Sequence, residues 1–225
     1  MTFTDAVEQD MVMEELRWDR SIDSANIGVS FHRGAVTLNG HVASYAEKDA
    51  AEKAVKRVRG VTAVANELEV RLPSLSQRDQ TDVAVDLAQA MAINVNVPKD
   101  SVQATVRNGW VTLDGTVKWD FQRFAAAKIA RQARGVLGVT NDIKLEAAEA
   151  PQDIEKDIRA ALDRYADIDA QAVHVTVRNG VATLTGRVST WGEVTVARRA
   201  TAAAPGVHEV KVELRVEPAR VPATV

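Results

Sequence analysis

The sequence predicts an α+β fold: three tandem α-β-β-α-β modules, each a three-stranded mixed sheet with two helices on one face. Three observations lead there. The frame G-x-x-T-L-x-G-x-V occurs three times, at Gly34–Val42, Gly109–Val117 and Gly180–Val188. A Gly-Val pair follows each frame at one fixed spacing (Gly60-Val61, Gly135-Val136, Gly206-Val207), with a further valine at Val64, Val139 and Val210. Around these landmarks the apolar residues recur with the period of strands or of helices. The modules run from 1 to 72, 78 to 146 and 151 to 217.

Each module opens on an amphipathic helix, marked by Val12 and Leu16, by Val83, Leu87 and Met91, and by Ile154, Ile158 and Leu162. Pro151-Gln152-Asp153 is a start signal for the last of these. Next come alternating runs, Ile27/Val29/Phe31, Val102/Ala104/Val106 and Val173/Val175/Val177, which read as strands buried on one side. Asn108-Gly109 and Asn179-Gly180 call for type I′ hairpins, whose two central residues both need positive φ; Arg33-Gly34 is the weaker version. The second strand buries Val36 and Leu38, Val111 and Leu113, Ala182 and Leu184. Gly40, Gly115 and Gly186 interrupt it, which implies a bulge or a close approach by a helix.

A second helix is expected over about 45–59, 120–134 and 191–204, with Gly60, Gly135 and Gly206 ending it as left-handed C′ residues. Its alanines (Ala51, Ala54; Ala126, Ala130; Ala197, Ala200) let it lie close to the sheet. A right-handed crossover then makes the last strand, carrying Leu68 and Val70, Ile143 and Leu145, or Val212, Leu214 and Val216, parallel to the second. Linkers fall at Leu72–Gln77 and Glu146–Ala150, and the tail from Pro218 is expected to fray.

Composition narrows the chemistry. Of 225 residues 46% are hydrophobic but only 4% aromatic, so the core is aliphatic. The formal net charge is −3, which lacks the basic footprint of a nucleic-acid binder. Absence of cysteine removes disulfides and thiolate chemistry. The N-terminus carries Asp5, Glu8 and Asp10 where a secretory signal needs a positive start and an apolar run. No apolar stretch approaches the ~20 residues of a transmembrane segment. The expectation is therefore a cytoplasmic chain, or a periplasmic one if an export signal is missing from the sequence.

Catalytic and ligand motifs are sparse. His32, His41, His174 and His208 take different positions in their modules, lack zinc-ligand spacing, and read as surface or turn histidines. Neither a G-x-S-x-G nucleophile motif nor a phosphate loop occurs. Glu47 and Glu193 share a module position held by Gln122 in the second copy, in a first helical turn where acids complement the dipole. No enzymatic activity, cofactor or metal is expected. Two features remain as candidate contact sites. Tyr45, Trp119 with Phe121, and Trp191 stand where strand two meets helix two. They either cap the core or present amphipathic rings to a headgroup layer or partner groove. Basic residues gather late in helix two, among them Lys56, Arg57, Arg131, Arg134, Arg198 and Arg199. They either complement the helix dipole or form a stripe for anionic headgroups.

The glycine frame with its later G-V-x-x-V resembles the BON domain of bacteria, in all three copies and over nearly the whole chain. Arg33 departs from the asparagine of the other copies, and Ala182 is smaller than the family prefers. The resemblance, OsmY-like in its tandem arrangement, implies attachment to anionic phospholipid or to envelope-associated proteins under osmotic or envelope stress, without catalysis. The alternatives it leaves are a cytoplasmic protein-binding or chaperone-like module without membrane contact, and a potassium-binding sensor.

Overall fold

A computed structural model describes residues 3–73, 78–146, 153–165 and 169–217. The first module runs α1 (Phe3–Trp18), β1 (Ile27–His32), β2 (Ala35–Val42), α2 (Tyr45–Arg57), β3 (Ala63–Asn66) and β4 (Glu69–Val70). The second repeats it with α3 (Gln80–Ile93), β5 (Val102–Arg107), β6 (Trp110–Val117), α4 (Asp120–Gln132), β7 (Gly138–Asn141) and β8 (Lys144–Leu145). The third has α5 (Ile154–Leu162), β9 (Val173–Arg178), β10 (Val181–Val188), α6 (Trp191–Ala202) and β11 (Glu209–Val216). Pro151, Gln152, most of both linkers and the tail from Pro218 lie outside the described residues.

Each module keeps its own sheet, with an antiparallel hairpin and a last strand parallel to the middle one, as the crossover argument requires. Three separate aliphatic cores follow. The first-helix markers are all buried: Val12 and Leu16, Val83, Leu87 and Met91, Ile154, Ile158 and Leu162. They pack over the same sheet face as Val36, Leu38, Leu113 and Leu184. The hairpin turns have positive φ at both central residues, including 49° at Arg33, where a side chain without the tolerance of asparagine is held left-handed.

The structure changes four expectations. At Gly40, Gly115 and Gly186 the close approach comes from backbone just ahead of the first strand: the ends of short 3-10 helices (Ser24–Asn26 and Ala170–Ala172) in modules one and three, and the bend at Ser101 in module two, rather than from either long helix. A Cβ there would lie 2.1 Å from the Asn26 carbonyl oxygen, 2.1 Å from that of Ser101 and 2.0 Å from that of Ala172. The second helices also stop earlier, at Arg57, Gln132 and Ala202. Gly60 and Gly206 are therefore third residues of β-turns, closed by Val61 N–H to the Val58 carbonyl and by Val207 N–H to the Ala204 carbonyl. Pro205 is the second residue of its turn, the place that suits its fixed φ.

The third change is in the last strand, which is broken in modules one and two. Asn66 accepts from Leu68 N–H at 3.3 Å and donates to the Lys48 carbonyl at 3.2 Å; Asn141 does the same with Ile143 at 3.3 Å and Arg123 at 3.4 Å. These side-chain bonds compete with the ladder. The third module has Val212 there, and β11 runs unbroken. Finally, His208 is buried, not at the surface, and its backbone N–H pairs with the Gly180 carbonyl beneath the hairpin turn.

Candidate functional site

The first candidate region is where the second helices meet. Eleven residues past Gly34, Gly109 and Gly180 stand Tyr45, Asp120 and Trp191, each in the first turn of its helix. The turn is fixed by Ser44 and Thr190, which accept from Glu47 N–H at 3.1 Å and Glu193 N–H at 3.2 Å. The acids and Gln122 complete the cap by accepting from Ala43, Ser189 and Trp119 N–H. That reciprocal capping is why glutamate or glutamine recurs at this position.

All three first-turn residues meet a neighbouring module. Lys56 of α2 holds its ammonium 5.0 Å from the centre of the Trp191 ring. Arg198 of α6 reaches Asp120 at 3.3 Å and lays its guanidinium 3.7 Å from the centre of the Phe124 ring. Tyr45 packs against the second module's core, and Arg131 of α4 approaches Asp49 at 3.9 Å. The contacts run from module one to three, three to two and two to one. This is a head-to-tail cycle that closes on a single chain.

Asp120 is 4% exposed and also bonds Arg123 at 2.6 Å. Burial raises its pKa, and the two guanidiniums offset only part of that; burial likewise lowers the Arg198 pKa, against the pull of Asp120.

The second region is a groove between the first helix and the end of the second, present in every module. Met11, Glu15, Trp18, Val58 and Arg59 line it in the first. Asp86, Ala90, Ile93, Ala133 and Arg134 take the same module positions in the second, and Asp157, Ala161, Arg164, Ala204 and Pro205 in the third. Each groove ends at exposed apolar surface: Trp18 at 85%, Ile93 at 83% with Val95 beyond it at 96%, and Tyr165 at 42%. Arg59, Arg134 and Arg164 stand at the same ends, and no ion pair involves them among the described residues.

The BON domain profile matches residues 4–71, 79–147 and 151–218. The chain belongs to the BON domain family. Osmotically-inducible protein Y of Escherichia coli (strain K12) is 35% identical over 130 residues, 55% of this chain and 64% of that protein. The match thus spans less than two thirds of the relative's length. Among solved structures, CdsD, a structural protein of the Type III secretion system of Chlamydia trachomatis, aligns at 19% identity and a TM-score of 0.26, over 96% of this chain and 94% of that one. The PrgH periplasmic domain aligns at 11% identity and a TM-score of 0.23, over 91% and 99%.

Within the BON modules, the residues singled out from sequence divide three ways. Tyr45, Trp191, Lys56, Arg131 and Arg198 sit at module junctions. Arg57 pairs with Glu15 at 2.7 Å and Asp19 at 3.0 Å inside its own module, while Arg134 lines the second groove. Trp119 is half-buried beneath Lys118, whereas Phe121 and Arg199 are exposed. Sequence reasoning missed Ile93, Asp120 and Phe124; Lys128 belongs to the basic residues late in helix two, and Trp18, which from sequence could join a neighbouring module, is instead 85% exposed at its own module's groove. The shared position of Trp18 and Ile93, sixteen residues before the hairpin glycine, was a signal that could have found the groove. Among the described residues no group of three or more His, Asp or Glu is placed to hold a metal, and no helix is long and apolar enough to cross a membrane.

Proposed function

We propose that this BON protein is a non-catalytic adaptor that attaches to anionic phospholipid surfaces, with envelope-associated proteins as a further target, in osmotic or envelope stress. The observation that carries the proposal is the thrice-repeated groove end, where exposed apolar residues stand beside an arginine without an acidic partner. The apolar group enters the interfacial layer while the cation meets phosphate, at ~1 kcal/mol per charge near an anionic surface. One such contact is weak. Three on one chain act together through effective concentration. The stress setting is supported by the likeness to Osmotically-inducible protein Y. The proposal holds for the cytoplasm and the periplasm alike, and cell fractionation distinguishes them.

Co-sedimentation with phosphatidylglycerol vesicles tests it. Binding at low salt that weakens at high salt is expected, along with further loss on Trp18→Ser and Ile93→Ser together. No binding at low salt overturns the lipid proposal. Capture of one dominant protein partner without lipid dependence favours the protein-binding alternative.

A further inference from the structure

We propose that the cleft at the three-module junction binds a multivalent phosphate anion, a role separate from surface attachment and not dependent on it. The cleft encloses about 590 Å³, within the range of small-ligand pockets. Its cations come from all three modules: Lys53 and Arg57 from α2, Lys128 and Arg131 from α4, and Arg198 from α6.

The three carboxylates in its wall are already committed. Asp19 accepts from Ser21 and Arg57. Glu47 accepts the N–H groups of Asp23 at 2.6 Å and Ala43 at 2.8 Å. Asp49 serves both Lys53 and, at 3.9 Å, Arg131. Outside the wall, Asp120 is likewise divided between Arg123 and Arg198. Lys128 has no ion pair among the described residues. Five cations line the cleft against three carboxylates; Glu15 and Asp120 from outside the wall pair with Arg57 and Arg198, which leaves the Lys128 charge unmatched in a partly enclosed space, where it is screened less than on an open surface.

The chemistry of the cations favours phosphate. Guanidiniums bind phosphate oxygens in a bidentate fork, and Arg198 is held in place by the Phe124 ring beneath it. Cations arriving from three helices suit an anion with several charged groups. Such an anion would bridge the modules and stabilise the closed cycle by mass action.

Thermal unfolding of the whole chain with sodium tripolyphosphate as probe, against sodium chloride at matched ionic strength, tests the proposal. The expected result is a saturable rise in Tm with tripolyphosphate that chloride does not reproduce. Lys128→Glu should weaken the apparent affinity about tenfold, and Arg131→Gln should weaken it as well. Arg199→Glu, at the equivalent helix position in module three but outside the cleft, should leave it unchanged. A shift equal to that in chloride, or one indifferent to Lys128→Glu, overturns the proposal. Phosphatidylglycerol vesicles form the second arm: if they displace bound tripolyphosphate, a lipid headgroup supplies the phosphate in this cleft, and if they do not, the ligand is soluble.

Discussion

Asp120 shows how one side chain links a module to its neighbour. It occupies the position of Tyr45 and Trp191, but holds Arg198 through charge instead of packing through an apolar ring. Its pKa lies above the ordinary 3.8 because of burial. A carboxyl raised on folding contributes stability that is complete below the ordinary value and lost as pH rises through the raised one. Asp120→Asn removes that titration. Its stability relative to the unmodified chain should therefore rise with pH across the acidic range and then level off, as read by urea unfolding at a series of pH values. A fall over that range contradicts the assignment.

Thr201 gives a second prediction at this scale. It is fully buried, its hydroxyl has no partner among the described residues, and Val55 and Ala130 hold the equivalent positions. Thr201→Val should raise stability by about 1 kcal/mol, measured by thermal unfolding. The hinge glycines were legible in sequence because backbone geometry demands them. The partner of Asp120 was not, because it lies in another module and no local pattern points to it.

Elements were legible where a local rule governs them. Period-two runs and Asn-Gly turns gave the hairpins, and helical spacing gave the buried faces of all six helices. Where two local rules competed, the reading failed. Gly60 fits both a helix C′ and the third place of a turn, and the turn wins because the extended backbone of Val58 ends the helix first. The break in the last strand was signalled only by asparagine at 66 and 141 where the third copy has valine. Asn66→Ala should cost about 1–2 kcal/mol in urea unfolding, since it removes bonds to Leu68, Lys48 and Glu52. Arg33→Asn should stabilise the first hairpin by about 1 kcal/mol, because asparagine tolerates the left-handed φ that arginine is forced to adopt. Thermal unfolding checks the sign.

At the scale of the molecule, the cycle of second helices fixes what stays outside. It turns inward half of the aromatic and basic residues that looked like surface contacts, and, among the described residues, leaves the first-helix grooves uncovered in every module. The sequence could not reveal this, because module packing depends on pairs such as Lys56 with Trp191 that are far apart along the chain. A closed cycle should give a compact small-angle scattering profile with a radius of gyration of roughly 17 Å, whereas beads on a string would give a clearly larger, elongated one.

Amide hydrogen exchange with and without anionic vesicles tests the functional claim most directly. New protection is expected at residues 11–18 with 57–59, 86–94 with 132–134, and 157–165 with 203–205. Protection confined to the outer sheet faces, or none at vesicle concentrations that saturate binding, would contradict attachment through these grooves.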